Sequence, residues 1–264
     1  MGLLAHTVEI TARTGPGGRE AETVSGDAGP QENEEPMTEH RPVVSSGSAA
    51  TARTARTALD DLVVPDTAAS AAALEVASAY QSPALLNHAV RAYVWAAAHG
   101  TAHGIRFDAE LLYVAAMFHD IGLVPEFDSH TVSFEEAAGH VARVFAAGAQ
   151  WPAERRERLA EVIVRHMWPE VDVSVDPEGH LLSRSTALEI VGRNVDDFSP
   201  AFRAVVLERH PRLGLATEFL ACFQAQAERK TDSSAAHAVR SRLEVRMAAN
   251  PLDHAASSSP AAGD

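Results

Sequence analysis

Cysteine is nearly missing: Cys222 stands alone among 264 residues. That excludes an intrachain disulfide and a metal cage of thiolates, so any metal has to be held by His, Asp and Glu. Aromatic residues make up only 6%, and strand-like alternation of apolar and polar residues is absent, which leans the chain toward helices. No apolar run approaches the roughly 18 residues of a membrane span. The N-terminus lacks the basic-then-apolar order of a signal peptide. Positive charge is in short supply as well: 36 Asp and Glu against 22 Lys and Arg leave a net charge of −14. Phosphate backbones require clustered Lys and Arg, so nucleic acid is not an expected partner, although a small anion in a locally basic pocket is not excluded. There is no internal repeat and no Gly-rich phosphate loop. Together these absences predict a soluble, cytoplasmic protein with no membrane partner and with a homo-oligomer left open.

What is present is apolar, at 46% of residues, enough for a sizeable core and an all-α fold. Residues 1–58 read as an unstructured extension, rich in Gly, Ser, Thr, Glu and Pro and without apolar periodicity. Met37 offers a second, later start. A folded region is expected over residues 59–252, and a mobile tail over 253–264. Within the folded part, Asp66 or Thr67 caps a helix over 68–80. Ser82-Pro83 opens one that Gly100 stops, and Asp108 caps one that Gly122 and Pro125 end. Ser133 with Glu136 forms a capping box. Further helices are predicted from about Ala153 to Met167, Leu181 to Val191, Ser199-Pro200 to Arg209 and Leu215 to Lys230. Residues 170–180 read as a polar connection.

Several polar residues fall on apolar helix faces, where an ionisable group has to be paired, hydrogen-bonded or metal-bound. His119-Asp120 closes the run Leu111 to Met117. His88 aligns with Leu85, Ala92 and Trp95. His166 aligns with Leu159, Val162 and Ile163, and Glu189 with Leu182 and Thr186. Each alone has an ordinary reading as a satisfied core residue, and His140 is expected to make a rim hydrogen bond to Glu136. As a set, imidazoles and carboxylates from separate helices suit Zn²⁺, Fe²⁺ or Mn²⁺, with positions left open for water.

The spacing of His88, His119-Asp120 and a distant carboxylate resembles the HD superfamily of metal-dependent hydrolases. The segments Ser82 to Arg91, Phe107 to Tyr113, His119 to Leu123, Phe134-Glu135, Ile163 to His166 and His210 to Gly214 are similar to the cyanamide-hydratase-like branch, over about residues 62–250. The resemblance implies an HD-type helical bundle. It implies His88, His119 and Asp120 as metal ligands, with a last ligand in the segment Thr186 to Gly192, where Glu189 replaces the family's Asp. It also implies attack by metal-activated water on a nitrile or other C–N carbon. Asp120 and His166 are the expected catalytic residues, and Asn87, Arg91 and His166 the expected substrate contacts. Two other activities remain open. One is a nucleotide phosphohydrolase, with Arg91, Arg165, Arg184, Arg193 and Arg212 as a phosphate pocket. The other is a non-catalytic metal- or ligand-binding protein.

Overall fold

The computed structural model describes residues 46–62 and 64–254, with side chains from residue 49. All regular elements among these residues are helices: α1 Ser46–Asp60, α2 Ala68–Tyr80, α3 Pro83–Ala102, α4 Ala109–Phe118, α5 Phe134–Gly148, α6 Ala153–Arg165, α7 Pro177–Val191, α8 Pro200–Arg209, α9 Leu215–Arg229, α10 Ser234–Arg240, α11 Leu243–Ala248 and α12 Pro251–His254. A single 3-10 turn, Ile121–Leu123, follows α4, and another spans Val195–Asp197. No helix among the described residues is long and apolar enough to cross a membrane.

The centre of the bundle is α4. Every residue from Leu111 to Phe118 is buried, because α2, α3, α5, α6 and α7 pack around it. Each of its larger side chains contributes about 1.5–3 kcal/mol by leaving water. A second cluster joins α9, α10 and α11 through Phe219, Phe223 and Met247 to the N-terminal turn of α3. A third places α1 and α8 against Trp95.

Caps set the helix starts as expected. The hydroxyl of Ser82 accepts from Leu85 N–H at 3.2 Å, and Thr67, rather than Asp66, caps α2. Ser133 and Glu136 form both halves of the capping box.

Four boundaries differ from the sequence reading. The helix α1 begins inside the stretch assigned to the unstructured extension, and residues 1–45 lie outside the described residues. Its few apolar side chains suffice because Ala55 and Leu59 are buried in the third cluster, while Arg56 pairs with Glu208 and Asp60 with Arg209. Gly100 does not stop α3; a Cβ there would stand 2.7 Å from the Phe107 ring, so this glycine permits close packing inside a continuing helix. Asp253, expected in the mobile tail, sits in α12 and pairs with Arg212, while residues 255–264 lie outside the described residues.

The fourth difference is at α7, which starts at Pro177 instead of Leu181. Asp176-Pro177 is the same start signal as Ser82-Pro83, and the Asp176 carboxylate accepts from Gly179 N–H at 2.6 Å. Asp176 is buried and pairs with Arg158 and Arg165 of α6. Burial alone would raise the Asp176 pKa, but the two arginines and the cap hold it below the usual carboxylate value. Because the folded value is the lower one, the contribution is present above the unfolded pKa of about 3.9 and fades as pH falls through the folded value. Asp176→Asn is therefore expected to lower stability by at least about 2 kcal/mol at pH 7. Below about pH 4 it should lose less than the wild type. Chemical denaturation across pH reads both effects, and equal curves would contradict the assignment.

Candidate metal centre

Two helix C-termini and the second turn of a third helix meet at one point. His88 lies in α3, one turn and a half inside its Ser82 cap. His119 is the C-terminal cap residue of α4, and Asp120 follows it at φ −106 and ψ 6. The turn that carries them is fixed by Gly122, where a Cβ would fall 2.1 Å from the Phe134 carbonyl oxygen of α5, so no side chain fits there. His166 caps the C-terminus of α6.

His88 Nε2 and His119 Nε2 are 3.0 Å apart. Asp120 Oδ2 lies 3.2 Å from the first and 3.1 Å from the second. Among the described residues no other three His, Cys, Asp or Glu side chains group closely enough to share an ion. His166 Nε2 stands 3.8 Å from the other Asp120 oxygen, Oδ1, outside that group.

The opposite ring nitrogens fix the protons. His119 Nδ1 is 2.8 Å from the Ala116 carbonyl oxygen, and His166 Nδ1 lies on the carbonyl of Ile163. His88 Nδ1 is 3.2 Å from Glu189 Oε2. All three partners only accept, so each Nδ1 carries the hydrogen and each Nε2 presents a lone pair. Neither Asp120 oxygen has a hydrogen-bond partner, and both are buried. Acceptors at this spacing with no donor between them repel unless a positive charge joins them. Ligands about 2.1 Å from one divalent ion stand about 3.0–3.4 Å apart at octahedral to tetrahedral angles, which the observed separations match. The donor set, imidazole with carboxylate, suits Zn²⁺, Fe²⁺ or Mn²⁺. The residues present therefore fit a divalent metal.

Burial would raise Asp120, but His119 and His88 outweigh it and hold the carboxyl far below its usual range. Burial pulls His88 down, yet the carboxylates of Asp120 and Glu189 on its two sides raise it overall. Burial, assisted by His119, pushes His166 down to about 4, so it is neutral at pH 7.

Glu189 is the main departure from expectation. It does not join His88, His119 and Asp120; it lies behind His88, on the ring nitrogen that faces away from them. Its carboxylate is drawn there by donors on the far side. Arg91 Nη2 approaches Oε2 at 2.6 Å and Trp95 Nε1 donates to Oε1 at 2.7 Å. Arg212 Nη1 bonds the Glu189 carbonyl at 3.0 Å and lies 3.4 Å from Oε2. Asn250 holds the same carbonyl at 2.8 Å. Burial would raise the Glu189 carboxyl; Arg91, His88 and Arg212 keep it well below the usual range and ionised. A carboxylate on the second nitrogen of a metal-facing imidazole orients the ring and increases its basicity.

Two expected substrate contacts are also reassigned. Arg91 is fully buried; besides Glu189 it donates to the carbonyls of His210 and Pro211. Asn87 donates to the Pro211 carbonyl at 2.9 Å. Both brace the chain at 210–212 and neither lines the cavity over the cluster. His140 meets Arg143, and Glu136 turns to Ser133 instead.

His88, His119, Asp120 and His166 form the floor of a cavity of about 450 Å³. Its walls include Phe219 and Phe223, stacked with ring centroids 4.4 Å apart, and Ile190 of α7; α10 and α11 contribute His237 and Arg246. These last two helices were not anticipated from sequence. Their signal was the N-cap Ser233 before an Ala-rich run.

No curated protein matches the chain. The family model of the HD domain matches residues 85–188. That span carries His88, His119, Asp120 and His166 and stops one residue short of Glu189. Over this segment the chain is similar to the HD domain family.

Proposed function

We propose that the protein is a metal-dependent hydrolase or hydratase that adds water to a nitrile or other C–N carbon of a small molecule, as cyanamide hydratases do. The observation that carries the reading is the convergence of donor-free Nε2 and carboxylate atoms at the floor of a cavity. His88, His119 and Asp120 would hold the ion, zinc in the first instance and iron or manganese as alternatives. A bound divalent cation supplies a Lewis acid there and lowers the pKa of a water it binds from about 15.7 toward about 7. His166 is neutral with its Nε2 lone pair free, so it accepts a proton from the attacking water and passes it to the substrate nitrogen. Asp120, whose Oδ1 faces His166 at 3.8 Å, stabilises the imidazolium formed in that step. Glu189 keeps the His88 ring in register. The partner is a small molecule, and the reading is of a cytoplasmic enzyme.

A nucleotide phosphohydrolase is the second reading, but its expected pocket is largely committed elsewhere. Arg91 and Arg212 hold Glu189, Arg165 pairs with Asp176 and Arg184 with Asp197. Of the five arginines only Arg193 lines the cavity. Metal analysis of the purified protein, followed by assays with cyanamide and with a panel of nucleotides, separates the readings. Urea is the expected product. Phosphate release would replace the first reading by the second, and a metal-loaded protein that turns over neither would support a binding role.

A further inference from the structure

The cavity is lined unlike the rest of the molecule. The chain carries 36 acidic against 22 basic residues, yet Asp120 is the sole carboxylate on the cavity wall, while Arg193, Arg246 and His237 stand there in exposed positions. Neither arginine has an ion-pair partner among the described residues. Elsewhere arginines find acids readily, as Arg143, Arg155 and Arg158 do. The same wall carries the stacked pair Phe219 and Phe223, with Phe219 edge-on to His88 at 5.9 Å. The volume, about 450 Å³, far exceeds the handful of atoms in cyanamide and falls in the range of pockets that enclose larger ligands.

We infer that the cavity takes a molecule with an apolar, ring-sized body and an anionic group, carboxylate or phosphate, held by Arg193 and Arg246. Arginine suits planar oxyanions because its guanidinium offers paired donors. A cleft edged by unpaired cations concentrates anions even on an acidic protein. The inference rests on the hydrolytic reading only for which end of the molecule reacts; the binding preference stands on the wall itself.

The test is calorimetric titration of the full chain with 3-phenylpropionate, 2-phenylethyl phosphate and the uncharged 3-phenylpropanamide, before and after metal removal with a chelator. At least one acid is expected to bind about tenfold more tightly than the amide, with or without metal, as for a charge-assisted contact. The ranking of the two acids identifies the anion. Arg193→Gln with Arg246→Gln should bring the acids within about twofold of the amide, and Arg193→Lys with Arg246→Lys should keep most of the preference. Equal binding of acid and amide would overturn the inference. So would a preference that survives the Gln pair, one that disappears with the metal, or failure of both acids to bind at millimolar concentration. Acid binding without any turnover of C–N or phosphate compounds would remove the hydrolytic reading and leave this one standing.

Discussion

His119→Ala should abolish tight metal binding while leaving the fold in place. Partners one step removed from a metal typically cost 10–100-fold in affinity when replaced, so loss of a direct ligand from a set of three is expected to cost more than about a hundredfold. The stability effect has an unusual sign. His119 is fully buried, and truncating a buried side chain ordinarily destabilises. Here the truncation also removes one of the mutually repelling acceptors, with His88 Nε2 at 3.0 Å and Asp120 Oδ2 at 3.1 Å. The melting temperature of the metal-free variant should therefore lie close to that of the metal-free wild type. The difference appears on adding metal. At a thousandfold excess over the dissociation constant the wild type gains about 4 kcal/mol, and the variant should gain little. Melting curves of both proteins with and without zinc read this directly; equal zinc-dependent shifts would remove His119 from the metal site.

Glu189→Gln is the second large effect, and it acts twice. The carboxylate is buried with Arg91 and Arg212 against it, and neutralising it leaves the Arg91 guanidinium enclosed without a counter-charge. Breaking a buried pair in this way costs about 3–5 kcal/mol. The amide also serves His88 Nδ1 less well than a carboxylate does, so metal affinity should fall about 10–100-fold. A chelator competition assay at a temperature where the variant remains folded separates the two effects. A direct ligand would behave differently: replacing it would cost metal affinity as heavily as His119→Ala. Arg91→Ala leaves Glu189 facing His88 with its main cation gone. It should destabilise by a comparable amount but disturb metal affinity less.

Much of this was legible from the chain. Caps such as Ser82, Asp108 and Ser133 are local signals, and each sits where it was read. The burial of His88, His119, His166 and Glu189 followed from helical spacing, because a residue in line with apolar neighbours shares their environment. What spacing could not supply was the direction of a buried side chain. Glu189 is on the right helix and the right face, but its carboxylate is oriented by Trp95, Arg91 and Arg212, which come from α3 and from the chain before α9. Arg91 and Asn87 mislead for the same reason: their partners are the backbone carbonyls of residues 210 and 211, more than a hundred positions away. The segment His210 to Gly214, noticed only through its resemblance to a family, is the brace that holds both. The helix α1 was hidden by composition, since Ala, Thr and Arg carry little apolar signal, and its order comes from packing on α8.

The most direct test is a crystal of the full chain soaked in zinc, with anomalous scattering recorded at the zinc edge. A single peak is expected about 2.0–2.2 Å from His88 Nε2, His119 Nε2 and an Asp120 oxygen, with Glu189 still on His88 Nδ1. A peak bonded to Glu189, or zinc bound elsewhere with these three side chains left unligated, would contradict the account.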